Sequence, residues 1–100
     1  MTCQTEFDPQ VLGPRIKVKA QGRPDFGQAQ ELALEAARDK LQEPMILGWY
    51  DSAKGRFWPQ VDCCGEDKPS WVIYAQSRGG QVAVEVEGGY FFIMAEGSVS

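Results

Sequence analysis

Val82, Val84 and Val86 alternate with Ala83, Glu85 and Glu87, a period of two that predicts a strand with one wet face. The same period runs from Arg15 to Ala20, where Ile16, Val18 and Ala20 interleave with Arg15, Lys17 and Lys19. Between these segments the pattern changes. Ala29, Leu32, Ala33, Leu34, Ala36, Ala37 and Leu41 form one broad apolar face, opposite Gln28, Glu31, Glu35, Arg38, Asp39 and Gln42. That spacing predicts an amphipathic helix from Asp25 to about Gln42, with alanines that permit close approach to a sheet. Asp25 is a good N-cap, Gly27 weakens the first turn, and Pro44 ends the helix.

The remainder reads as β-rich. Met45 to Asp51 is a predicted strand, and Asp51-Ser52-Ala53-Lys54-Gly55 is a hairpin connection with Gly55 at a position suited to positive φ. Arg56 to about Val61 returns, with Pro59 placing that strand at an edge or beside a bulge. Ser70 to Ser77 is also read as a strand. Arg78-Gly79-Gly80 turns the chain into Gln81–Glu87, and Gly88-Gly89 turns it again into Tyr90–Ala95. Residues 1–14, with Pro9, Gly13 and Pro14, read as an irregular arm, residues 15–95 as one domain, and residues 96–100 as a frayed tail.

The expected order is thus β-α-β-β-β-β-β, an α+β fold with one amphipathic helix on an antiparallel sheet of four to five strands. One helix covers one sheet face. The other would be wet unless aromatic residues or a partner cover it. Strand alternation puts Trp49 on the face of Leu47, opposite Tyr50, and sets Trp71 and Ile73 opposite Tyr74.

Composition narrows the function classes. The chain has 100 residues, enough for a single core, and its 43% apolar and 24% charged content is ordinary for a soluble globular protein. No apolar run reaches the ~20 residues of a bilayer span, and the first residues lack the charge and apolar pattern of a secretory signal, so a cytoplasmic location is expected. A net charge of −4 disfavours non-specific nucleic-acid binding. The basic run of Arg15, Lys17, Lys19 and Arg23 is an anion-binding face or, more simply, the solvated side of a strand.

Three cysteines without a signal segment argue against a disulfide framework. Cys63 and Cys64 are adjacent in the acidic loop Asp62–Trp71, and the whole chain contains no histidine. Asp62, Glu66 and Asp67 disfavour a thiolate, with Lys68 the single local cation. The two-residue spacer of familiar redox pairs is missing, and a disulfide between neighbours is strained. Zinc wants four ligands, whereas only Cys63, Cys64 and, with the arm folded over, Cys3 offer thiolates. The plain alternative has one sulfur in the core and one in the loop.

Other groups admit similar pairs of readings. Glu66 and Asp67 with Asp62 form an acidic turn without the ligand spacing of a calcium loop. Glu85 and Glu87 could act as an acid/base pair, or simply face solvent. Arg78 with Gly79-Gly80 could form an anion nest, or a hairpin turn. The absence of histidine removes Ser-His-Asp and Cys-His catalysis. Trp49, Tyr50, Trp71 and Tyr74, among several aromatics on predicted strands, are candidates for a groove, a dimer contact or a stacking platform.

Gly48-Trp49-Tyr50-Asp51, Gly55-Arg56, Val61-Asp62-Cys63-Cys64, Asp67-Lys68-Pro69, Trp71, Tyr74-Ala75 and Ser77-Arg78-Gly79 form a distinctive series. In it the chain resembles a small family of uncharacterised single-domain proteins, over roughly residues 45 to 95. The resemblance implies one recurring unit but no activity, cofactor or partner. The leading functional expectation is a non-catalytic binding or protein-interaction module. Its partner is an unknown protein or small molecule, or a second copy meeting it through the wet face or an edge strand. No cofactor and no catalytic residue is assigned. The rivals are a thiol-dependent redox or soft-metal protein using Cys63 and Cys64, and a carboxylate enzyme in an aromatic groove.

Overall fold

The structure is a computed structural model that describes residues 12, 15–20, 22, 24–58 and 70–97. Five strands and two helices follow in the order β1 (Ile16–Val18), α1 (Phe26–Ala37), β2 (Pro44–Asp51), β3 (Arg56–Trp58), α2 (Ser70–Ser77), β4 (Val82–Val86) and β5 (Tyr90–Glu96). The strands form one sheet in the order β1-β4-β5-β2-β3. Its four-stranded body β4-β5-β2-β3 is antiparallel, while β1 joins β4 in parallel. Short turns join β2 to β3 and β4 to β5 as expected, but β2 pairs with β5 rather than following a meander through residues 70–77. The parallel edge follows from connectivity, because β1, β4 and β2 share one direction and α1 carries the chain across the sheet from β1 to β2.

The α+β class expected from the sequence holds, with one large difference. Residues 70–77 form a helix, not a strand. Val72, Ile73 and the aromatics Trp71 and Tyr74 give the segment a strand-like composition. The buried set Trp71, Val72 and Ala75 instead follows a helical i, i+1, i+4 spacing. Gly79 (φ 89°) then ends α2 in a left-handed turn, donating to Gln76 O at 3.2 Å while Gly80 donates to Ala75 O at 3.0 Å. This pair of bonds is a Schellman cap. The glycines read as a hairpin turn are therefore a helix stop.

The second helix completes a three-layer arrangement. On one face Ala29, Ala33 and Ala37 of α1 pack on Val82, Val84, Val86, Tyr90, Phe92 and Met94. On the other, Trp71, Val72 and Ala75 of α2 pack with Leu47, Phe91, Ile93 and Ala95. The face expected to be wet is thus covered by α2 over β2 and β5. Leu12, within the arm read as irregular, is buried in the same cluster.

Local signals at the helix and turns are met. Asp25 caps α1 through its Oδ1, which accepts from Gln28 N at 2.8 Å, and Gln28 Oε1 accepts from Asp25 N at 3.1 Å, a reciprocal capping box. The helix stops at Ala37 rather than Gln42, and Pro44 opens β2, where the missing N–H is tolerated. Tyr90 Oη donates to Pro24 O at 3.0 Å, tying the start of α1 to β5. The buried Asp51 carboxylate accepts from Ala53 N at 3.1 Å and shapes the β2–β3 turn, in which Gly55 has φ 65°. Glu96, read as the start of a frayed tail, belongs to β5, and its carboxylate accepts from Gln42 N and Glu43 N at 2.8 and 2.7 Å.

One bulge re-aims the aromatics. Ile46 opposes Met94 but Gly48 opposes Ile93, so Leu47 is an extra residue in β2. Beyond it the alternation is inverted. Trp49 joins Ile46 on the α1 face, and Tyr50 joins Leu47 on the α2 face, the reverse of the simple strand reading. Glycine suits the bulge because a Cβ on Gly48 would crowd Trp58 O at 3.1 Å and Trp71 Cε3 at 3.2 Å.

Candidate functional site

The two helices cover the sheet unequally. α1 packs mainly on β4, β1 and β5, whereas α2 packs on β2 and β5. Among the described residues, each helix therefore leaves one corner of its face open. On the α2 face the open corner lies over β1 and β4 and is polar. Arg15 Nε donates to Glu85 Oε1 at 2.6 Å, beside the exposed Lys17 and Lys19. Ile16 and Val18 turn inward, so Arg15, Lys17 and Lys19 of the basic run lie on the outward side of the β1 edge, while Arg23 lies outside the described residues. Glu85, one of the two carboxylates considered for acid/base work, is engaged by Arg15.

On the α1 face the open corner lies over β2 and β3 and is aromatic. Trp49 and Trp58 are register partners on these strands. Trp49 is braced from below by Phe26, their ring centroids 4.5 Å apart, and Phe26 in turn meets Tyr90 and Phe92 at 6.2 and 5.8 Å. Among the described residues no ring braces Trp58 in this way, and it is 46% exposed. With Gln30 and Ile46, the two indoles line an open groove of about 300 Å³. Its lining supplies two stacking faces, an aliphatic side chain and an amide, which suits contact rather than proton transfer.

The candidates named from sequence are divided between faces. Trp49 lies in the groove. Tyr50 and Trp71 meet at 6.0 Å on the opposite face, where Tyr50 also stacks on Phe91 at 6.4 Å. Trp71 is 1% exposed and serves as core. Arg78 lies over the ring of half-buried Tyr74, 4.9 Å from its centroid, on the outer side of α2. The anion nest proposed for Gly79-Gly80 is not formed, because both N–H groups bond back to helix carbonyls. Cys3, Cys63 and Cys64, with the acidic residues Asp62, Glu66 and Asp67, lie outside the described residues. Among the described residues no group of three or more His, Cys, Asp or Glu could hold a metal ion, and no helix is long and apolar enough to cross a membrane.

Trp58, Gln30 and Ile46 were not singled out from the sequence. The one signal available was Pro59, which placed the strand expected from Arg56 to about Val61 at an edge or beside a bulge. β3 is an edge strand among the described residues, and residues 59–61 lie outside them. A second cavity, of about 310 Å³, is lined by Arg15, Ile16, Lys40, Gln81, Val82 and Ala83. Its two cations do not amount to an anion trap. Glu85 engages Arg15, and Lys40 follows the C-terminal turn of α1, whose carbonyls carry the negative end of the helix dipole.

Fold and groove together define a small three-layer α+β domain with one aromatic edge. Residues 14–94 match the family described as Domain of unknown function (DUF5619), and the chain belongs to that family. The match runs from just before β1 nearly to the end of β5, so the family unit is the whole sheet with both helices. The chain is also similar to an uncharacterised protein of Archaeoglobus fulgidus, 35% identical over 81 residues that span 81% of this chain and 86% of the relative. A crystal structure of a novel protein from Archaeoglobus fulgidus DSM 4304 superposes with a TM-score of 0.71 at 28% identity. It covers 86% of this chain and 96% of its own.

Proposed function

We propose that the domain is a non-catalytic interaction module whose binding surface is the β3 edge and the groove beside it. The carrying observation is Trp58, a large aromatic side chain left 46% exposed on an edge strand and aligned with a second indole. Tryptophan anchors of this kind supply much of the binding energy where they occur. The odd cysteine count, which argues against a disulfide framework, supports a cytoplasmic setting.

A dye that fluoresces on apolar surfaces, anilinonaphthalene sulfonate, tests the reading at low protein concentration. The wild-type chain should enhance its emission, and Trp58→Lys should remove most of the enhancement while the far-ultraviolet circular dichroism stays unchanged. Equal dye binding by a folded Trp58→Lys variant would overturn the assignment. The thiol alternative is separated by metal analysis and thiol titration. Stoichiometric bound metal, or a thiol titrating below about pH 7, would favour it.

A further inference from the structure

We infer that the β3 edge is occupied by a second copy of this chain, the two β3 strands pairing antiparallel about Phe57. The inference rests on the reading of that edge as the binding surface and names its partner. β3 consists of Arg56, Phe57 and Trp58 and is the last strand of the sheet among the described residues. An isologous contact repeats itself across a two-fold axis. With Phe57 opposite Phe57, the axis sets Arg56 of each copy directly against Trp58 of the other. Arg56 and Trp58 are two residues apart, so both point to the α1 face, as the pairing of Trp58 with Trp49 requires. Arg56 is exposed, as is Trp58. The contact therefore makes two cation–π pairs from one strand, each guanidinium meeting an indole face.

The opposite edge shows what a strand shaped against self-pairing looks like. β1 is also three residues long, and the same operation about its centre would set Lys17 against Lys17. Like charges directly opposite are destabilising, and lysine is a common guard of free sheet edges. β3 carries its cation beside an aromatic rather than at its centre, so the same symmetry operation brings complementary groups together. A three-residue edge with flanking indoles buries less surface than a permanent dimer needs. The association is accordingly weak and reversible.

Sedimentation velocity of the untagged full chain, from about 1 μM to about 1 mM, measures the association at affinities expected of so small an interface. The wild type should move from monomer towards dimer over that range. Trp58→Arg places arginine against arginine twice and should weaken the dimer at least about tenfold. Combining Arg56→Trp with Trp58→Arg exchanges the two positions, recreates both pairs under the same two-fold axis, and should restore the dimer. Circular dichroism verifies folding of each variant. A wild-type monomer throughout, a dimer indifferent to Trp58→Arg, or a folded double variant that stays monomeric would each overturn the self-pairing. Acrylamide quenching of Trp58, isolated as the difference between wild type and Trp58→Phe, separates the two levels of the claim. In a monomer, a quenchable Trp58 leaves the β3 surface standing without this partner, whereas a shielded one removes both.

Discussion

The two faces of the sheet are covered by helices that pack in opposite ways. α1 lays three alanines, four residues apart, on the valines of β4, a thin contact that brings helix and sheet close together. α2 is shorter and relies on one large side chain, Trp71, set against the glycine at the β2 bulge and flanked by Tyr50. The uncovered corners differ correspondingly. Beyond α2 the sheet ends in the Arg15–Glu85 pair and exposed lysines, whereas beyond α1 it ends in Trp49 and Trp58. A charged, part-buried corner ends the described sheet at β1, and an aromatic corner ends it at β3. The difference comes from where each helix stops, not from any overall bias in composition.

The largest expected effect breaks the α2 face. Trp71→Ala empties the centre of its cluster and should cost about 3–5 kcal/mol, measured by urea denaturation, with loss of much of the α2 signal. The α1 face should fail in the opposite sense. Ala33 is completely buried, so Ala33→Leu overpacks the contact with β4 and should cost about 1–3 kcal/mol in the same assay. If Ala33→Leu were neutral, the close contact claimed for α1 would be wrong. The smallest effect concerns the polar corner. A double-mutant cycle with Arg15→Ala and Glu85→Ala should give a coupling of about 1 kcal/mol that falls in part with added salt, because the pair sits part-buried at the sheet edge, 19% and 30% exposed. A larger, salt-insensitive coupling would mean that the β1 corner is held together as firmly as the core.

Much of the site escaped sequence reading for a reason visible in Trp49, Tyr50 and Trp58. The strand containing Trp49 and Tyr50 was recognised, but the side each indole or phenol occupies depends on the extra residue Leu47. Nothing in the local pattern announces that bulge except Gly48, whose meaning emerges only when Trp71 is seen against it. Trp58 was one aromatic among several, and its exposure results from α1 ending its cover over β2. Pro59 narrowed that strand to an edge or the neighbourhood of a bulge, and the edge is what the sheet shows.

By itself the chain determined the elements written in local chemistry. The reciprocal cap at Asp25 and Gln28 starts α1, the alternation of Val82, Val84 and Val86 makes β4, and the Asp51–Gly55 turn joins β2 to β3. Such features depend on residues a few positions apart, and their backbone preferences act before any long-range contact forms. Only the tertiary structure decided that residues 70–77 are helical, that β1 runs parallel beside β4, and that one face ends in charge and the other in tryptophan. The 70–77 segment has strand-like residues, yet its Trp71, Val72 and Ala75 can reach the β2–β5 face together only from a helix. Burial against a surface built by distant strands outweighed local propensity there. The same non-local accounting left Trp58 uncovered at the edge.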